Sequence, residues 1–240
     1  MKKLYLSLLL LTGVASYLGA QQTINDPNVV KVDVASFHAI EVATGIELFL
    51  SAGNVEEVAV SASTTEYRDR IVAKVEDGVL KLYYDSKLKA INKKKESKQL
   101  KAYVSYRQLD KLNANTGALV KIQGVLKTTA LELNVNTGAQ VMGEVEIQNL
   151  SVKQNTGSQV SLTGKAQQLK VDGDTGSKFK GEGMATQSCD VTVSTGANVT
   201  IDAEKEIMVK ASTGGIVKYK GNAAIREIKT STGGTVKKIS

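Results

Sequence analysis

Few residues of this chain could take part in catalysis or bind a metal. The 240 residues include one histidine, His38, and one cysteine, Cys189. A zinc site needs several His or Cys ligands, and a Ser-His-Asp triad needs a histidine beside its nucleophile. His38 lies in the strand-like run that contains Phe37 and Ile40, and we predict a surface histidine. Cys189 falls at an inward position and is predicted to be a small buried residue. The composition therefore predicts no catalytic residue, no metal site and no cofactor.

A pair of carboxylates is the remaining route to catalysis. Enzymes that cleave polysaccharides use two carboxylates, one as the acid and one as the base or nucleophile. Asp172 and Asp174 share an outward parity, but the preceding repeat has Lys153 and Asn155 at the same places. Asp174 also stands at a turn-capping position. We therefore predict that the chain is not an enzyme, and a polysaccharide-acting enzyme is the less favoured alternative.

The elements that position these side chains recur at a regular interval. Seven Thr-Gly pairs occur after residue 110, and their glycines are 18 to 21 residues apart. The predicted turn residues are Thr116, Gly117, Thr137, Gly138, Thr156, Gly157, Thr175, Gly176, Thr195, Gly196, Thr213, Gly214, Thr232 and Gly233. A period near 20 is typical of a solenoid. Apolar residues flank each pair at a period of two, which indicates strands rather than helices.

Stacked coils of this kind pair each strand with the same strand of the next coil. We predict an all-β fold, a right-handed parallel β-helix (β-solenoid) of ~19-residue coils with a more irregular N-terminal half. Residues 110–240 form the regular coils and residues 21–109 the irregular β part. In that part, Asp77-Gly78 is either a hairpin turn or an irregular corner. The parity of the threonines matches the apolar positions, so we predict an internal threonine column. An ice-binding face, which needs two outward threonines per coil, is not favoured.

Residues 1–20 have the organisation of a secretory signal peptide. Lys2 and Lys3 precede an apolar stretch, and Gly19-Ala20 offers a cleavage site. The stretch is too short to span a membrane, so we expect no transmembrane span in the mature chain. We predict export to the periplasm or the outer cell surface. Cleavage lowers the formal net charge from +7 to +5, which is too small to suggest nucleic-acid binding.

Two regions could bind a partner. Outward columns of polar residues precede the turns: Asn113, Asn134, Lys153, Asp172, Thr192, Lys210 and Lys229 in one column, and Asn115, Asn136, Asn155, Asp174, Ser194, Ser212 and Ser231 in the other. Such a face suits an extended glycan. The second candidate patch consists of Tyr83, Tyr84, Tyr103 and Tyr106 with Lys93, Lys94 and Lys95. The alternative for the tyrosines is packing over the end or side of the solenoid, and for the lysines a solvated loop.

These features resemble a known family. The opening Phe-x-x-Ile-x-Val-x-x-Gly-Ile (residues 37–46), the strand at 78–82 and the Thr-Gly-Ala/Ser coils are similar to the head-GIN-domain family of auto-transporter adhesins, common in Bacteroidota. The similarity covers about residues 34–236. It implies an extracytoplasmic β-helix, and an adhesin-like binding module for a glycan or for an envelope or host surface component. Because the coils reach Val236, we expect no auto-transporter translocator in this sequence. The alternative is a structural envelope scaffold, and pairing of two copies as a homodimer is left open.

Overall fold

The structure is a computed structural model that describes residues 26–86 and 97–240. The predicted signal peptide, residues 1–20, lies outside the described residues, and so do Lys93, Lys94 and Lys95. The part of the chain that is described consists almost entirely of strands, with one short helix, α1 (Thr65–Arg68).

Sixteen strands follow one another along the described chain. The amino-terminal ones are β1 (Val30–Val32), β2 (Ala39–Val42), β3 (Glu47–Ala52), β4 (Glu57–Ser61), β5 (Ile71–Glu76), β6 (Val79–Tyr84), β7 (Lys101–Tyr106) and β8 (Lys111–Ala114). The others are β9 (Leu119–Val135), β10 (Gln140–Gln154), β11 (Gln159–Gly173), β12 (Lys178–Val193), β13 (Asn198–Ala211), β14 (Ile216–Lys220), β15 (Ala224–Thr230) and β16 (Thr235–Lys238).

The long strands β9 to β13 are successive coils of a solenoid. Each pairs in parallel with the next, so that Val141 lies between Val120 and Val160. Inward residues alternate with outward ones, as in any half-buried strand. In β10 the alternation is interrupted at Gly143 and again at Gln148-Asn149, where the coil turns a corner. The prediction of an all-β, parallel β-solenoid is confirmed, and the solenoid has about seven turns.

The amino-terminal half departs from the regular succession of coils. The parallel strand order is β6-β2-β8 on one side and β7-β3-β9 on the other. The chain between Gly45 and Gly117 adds a coil on the outer side of β2 and β3, while β8 and β9 pair with their other side. The turns at Gly45 and Gly117 are therefore neighbours in space. On that outer coil, β5 pairs antiparallel with β6, and β4 pairs antiparallel with β7. Antiparallel strands thus close this end of the solenoid.

The Asp77-Gly78 dipeptide is a hairpin turn, which decides between the two alternatives. Asp77 has φ 50° and Gly78 has φ 74°, and the turn joins the antiparallel strands β5 and β6. Positive φ at both central residues is the signature of a type I′ turn, whose twist matches that of a hairpin.

The predicted internal threonine column is wrong, because all the turn threonines are exposed. The two turn residues both project outside the coil, so the alternation restarts after the glycine. The inward position there belongs instead to a small buried residue, namely Ala118, Ala139, Ser158, Ser177 or Ala197 in five successive coils.

Candidate binding surface

Each Thr-Gly pair forms the two central residues of a tight turn. Eight threonines, counting Thr44 in the amino-terminal half, have φ between 41° and 57°, and the glycines after them have φ between 68° and 76°. The turn is closed by a backbone bond such as that from Ala118 N–H to the Asn115 carbonyl, 3.1 Å long. These are the features of a type I′ turn.

The eight turns stack on one another along the solenoid. The N–H of a turn glycine donates to the carbonyl of the threonine in the next coil over 2.9–3.1 Å. The first of these bonds joins Gly45 to Thr116, and the last joins Gly214 to Thr232. We call this exposed corner the Thr-Gly ridge: Thr44, Thr116, Thr137, Thr156, Thr175, Thr195, Thr213 and Thr232 with the glycines that follow them. At ~4.8 Å between strands, the ridge is about 34 Å long.

The predicted polar column directly before the turns lies beside this ridge and is linked from coil to coil. Asn136 Nδ2 donates to Asn115 Oδ1 over 3.4 Å, and Ser194 Oγ donates to Asp174 Oδ1 over 2.8 Å. Hydrogen bonds from the hydroxyls of Thr195 and Ser194, and then from the Thr175 N–H, lower the pKa of Asp174. Asp174 is thus an ionised turn cap that accepts several hydrogen bonds.

The tyrosines of the second predicted patch do not come together. Tyr84 and Tyr106 are buried at 7% and 3% exposure, and burial raises the pKa of Tyr106 to about 12. Tyr83 and Tyr103 are half-buried on the outer sides of β6 and β7. Among the described residues, no ring contact joins any two of these four side chains. Packing on the solenoid therefore accounts for Tyr84 and Tyr106.

One outward aromatic residue was missed by the sequence reasoning. The Phe49 ring stacks on Tyr103 with centroids 5.1 Å apart, and Lys121 Nζ lies 5.4 Å from the Phe49 centroid on the next strand. The signal was available, since Phe49 alternates with the inward Leu48 and Leu50. Because Tyr103 and Lys121 flank Phe49 on the neighbouring strands, the stack stabilises the coils rather than offering a free platform.

The structure places the residues considered for catalysis in different surroundings. His38 is exposed as predicted, and its Nδ1 lies 2.9 Å from Asp110 Oδ1. Cys189 is buried as predicted, and burial raises the pKa of its thiol to about 11. Asp172 Oδ2 lies 3.9 Å from Lys170 Nζ. In residues 26–86 and 97–240, no group of three or more His, Cys, Asp or Glu side chains could hold a metal ion. No helix in these same ranges has the length and apolar character of a membrane span.

Comparison with sequence families gives one match. A family profile described as "Putative auto-transporter adhesin, head GIN domain" matches residues 36–223. No curated protein matches the chain.

Solved structures share the fold. The chain is similar to a "putative adhesin" from Bacteroides fragilis NCTC 9343, with 20% identity, a TM-score of 0.77, and coverage of 88% of this chain and 96% of the other. It is also similar to a "putative adhesin" from Parabacteroides merdae ATCC 43184, with 15% identity, a TM-score of 0.69, and coverage of 89% and 96%. A "putative lipid binding protein" from Parabacteroides distasonis ATCC 8503 shares 16% identity, with a TM-score of 0.66 and coverage of 90% and 98%. At these identities the similarity shows the fold alone.

Proposed function

The chain belongs to the head-GIN-domain family of auto-transporter adhesins, and from this premise we propose that it is an extracytoplasmic, non-catalytic module that binds an extended glycan along the Thr-Gly ridge. The ridge and the polar column beside it form one continuous surface. The glycan chain lies parallel to the solenoid axis and meets the same side chains in coil after coil.

One observation carries this proposal: threonine is kept at a strained backbone position in all eight turns. A left-handed conformation costs an L-residue roughly 1–2 kcal/mol, and for a β-branched residue it is a genuine outlier. Asparagine or glycine at the first central position of a type I′ turn relieves that cost. Strain that persists at an exposed, repeated position supports a role for the side chain itself.

The chemistry of the surface suits sugar hydroxyls. A threonine hydroxyl both donates and accepts hydrogen bonds, as do the amides of Asn115 and Asn136, while Asp174 only accepts. Each bond contributes little net free energy, about 0.5–1.5 kcal/mol, but a polymer adds such bonds over several coils. The neighbours described as adhesins support the proposal. The neighbour described as lipid binding makes lipid a competing outcome of the test.

Removal of three ridge hydroxyls is expected to weaken glycan binding at least tenfold. Thr137→Val, Thr156→Val and Thr175→Val keep the β-branched shape but delete neighbouring hydroxyls, and three lost hydrogen bonds amount to roughly 1.5–4.5 kcal/mol. The mature chain is screened against immobilised mannan, xylan and mixed-linkage glucan, and the affinity of the variant is measured for whichever binds.

The control replaces two exposed threonines away from the ridge, namely Thr65→Val and Thr129→Val. This variant should bind like the unaltered chain. Equal affinity of ridge variant and unaltered chain would contradict the proposal, and binding to lipid vesicles but to no polysaccharide would replace it with a lipid-binding function.

A second candidate function, a self-associating scaffold, is favoured by the last coil. Ile225 and Ile228 take inward positions beside Ile207 and Val209, yet they are 54% and 38% exposed. In the described chain, no strand pairs with the outer edges of β15 and β16. Edge lysines oppose open-ended stacking, so we propose a closed pair of two copies joined at this end.

Sedimentation velocity tests this pairing. The mature chain is expected to form a dimer whose fraction rises with concentration. Ile228→Lys should leave it monomeric, because a charge would be buried in the apolar contact. The control Val55→Lys changes a residue that is 63% exposed elsewhere and should not alter the dimer. A chain that stays monomeric at every concentration would rule the scaffold out.

A further inference from the structure

The outer surface that follows the turns changes its charge pattern along the solenoid. This post-turn face consists of residues 101–106, 47–52, 119–123, 140–142, 159–161, 178–180, 198–202, 216–220 and 235–238. In its first coils the lysines are paired. Lys101 Nζ lies 3.6 Å from Asp26 Oδ2, and Lys121 Nζ lies 2.6 Å from Glu47 Oε1.

The last coils of the same face present lysines without counter-charges. Lys180, Lys218 and Lys237, which we call the lysine strip, share one outward column, with Thr200 between the first two. All three are exposed, and none forms an ion pair with any residue of the described chain. Lys220, two residues after Lys218 on the same strand, pairs with Asp202 over 3.2 Å. The fold therefore allows such pairing on this face, but the strip lacks it.

The strip places like charges close together. Adjacent strands are ~4.8 Å apart, so the backbones of Lys218 and Lys237 are about 5 Å apart and those of Lys180 and Lys218 about 10 Å. Like charges directly opposite each other on adjacent strands are destabilising. A linear polyanion along the strip would neutralise all three ammonium groups at once.

A shallow groove adjoins the strip at its amino-terminal end. It is lined by Ser161, Leu162, Thr163, Lys180, Glu182 and Gly183. It lies where the pairing of β11 and β12 shifts register after Ser161. The Lys180 ammonium can bind the anionic group of an acidic sugar. The hydroxyls of Ser161 and Thr163 and the carboxylate of Glu182 can form hydrogen bonds with the hydroxyls of the same sugar. A lipid headgroup would meet the same lysines but would gain less from the neutral hydroxyls.

We propose that the lysine strip and this groove bind a linear acidic polysaccharide. Its carboxylate or sulfate groups contact Lys180, Lys218 and Lys237, and one sugar unit enters the groove. This site goes beyond the proposed function, because it lies on a different face from the Thr-Gly ridge and takes a charged polymer. Each proposal can fail while the other holds.

The test uses a fluorescently labelled polygalacturonate fragment as the probe and dextran as the neutral comparison. The triple variant Lys180→Gln, Lys218→Gln, Lys237→Gln is expected to bind polygalacturonate at least tenfold more weakly than the unaltered chain. Raising the ionic strength from about 0.05 to about 0.5 M should also weaken binding, because salt screens exposed charges. Binding to mannan or xylan through the ridge should stay unchanged.

A charge-matched control separates a site from a general effect of net charge. Lys127→Gln, Lys165→Gln and Lys170→Gln remove the same three charges from other outward positions, where Lys127 and Lys165 pair with Glu146. Exposed pairs of this kind contribute little stability, so this control stays folded. The control variant is expected to bind polygalacturonate with an affinity within about twofold of that of the unaltered chain. The strip variant should lose at least tenfold, which corresponds to about 1.4 kcal/mol.

Two results would overturn the site. Equal weakening by both triple variants would show that affinity follows net charge alone. Stronger binding to phosphatidylglycerol vesicles than to polygalacturonate, lost in the strip variant, would assign the strip to a membrane surface instead.

Discussion

Replacing Phe179 by valine is expected to lower the free energy of unfolding by about 2–3 kcal/mol. Phe179 is 1% exposed and is the largest fully buried side chain of the described residues. It occupies the inward column that Val160 and Val199 fill in the adjacent coils. Valine would leave a cavity beside Gly181, and the stacked coils on both sides limit its collapse. Urea unfolding followed by circular dichroism measures the loss.

Gly181 explains why one coil holds a phenylalanine where its neighbours hold valine. A Cβ atom at Gly181 would lie 2.5 Å from Cε1 of Phe179, so the ring occupies the volume of the missing side chain. Gly181→Leu alone is therefore expected to overpack the core and cost at least about 2 kcal/mol.

The double variant Phe179→Val, Gly181→Leu recreates the Val160–Leu162 pair of the preceding coil. It should regain about 2–3 kcal/mol relative to the sum of the two single losses, as expected for residues that share one space. Strictly additive losses would show that the two positions do not compete for volume.

The inward residues of the solenoid could be predicted because strand alternation is a local property. The residue four positions after the turn threonine is buried in six successive coils, as its parity indicates: Val120, Val141, Val160, Phe179, Val199 and Val217. Val236 in the last coil is half-buried. The same rule distinguishes Tyr84, in phase with Leu80 and Leu82, from the outward Tyr83. The candidate patch grouped these two tyrosines by proximity in sequence, whereas alternation places them on opposite sides of one strand.

The orientation of the threonines could not be obtained by carrying this alternation through the turn. A two-residue type I′ turn places both central residues outside the coil, so the phase after Gly117 restarts at Ala118. Counting from Ala114 across the turn therefore assigned Thr116 to the core. The threonine became a candidate for binding only when its exposure and its positive φ were both known.

The order of the amino-terminal coils depends on pairings between distant residues. The Gly45 N–H donates to the carbonyl of Thr116, 71 residues later in the chain. The period of the repeats does not predict this contact. By contrast, the lysine strip could have been found from sequence. Lys180, Lys218 and Lys237 each stand five residues after a turn threonine, but only the columns before the turns were compared. The absence of counter-charges around them required the structure.

Gly164→Ala is expected to destabilise the protein by about 3 kcal/mol or more, whereas Gly157→Ala in the same coil should cost only about 1 kcal/mol. Both glycines have positive φ, +103° and +68°. At Gly164 an added Cβ would overlap the carbonyl oxygen of Val145 in the preceding coil and lie 3.1 Å from its backbone nitrogen. At Gly157, on the ridge, nothing lies within 4 Å of the added atom.

The comparison isolates the contact between coils from backbone strain. Gly157→Ala measures the cost of positive φ alone, since its new methyl group meets only solvent. The additional loss at Gly164 measures how closely the backbones of two coils approach at the corner that the sequence marks with glycine. Urea unfolding of the two variants gives both values from the same assay. Equal losses would mean that the coils can move apart at this corner.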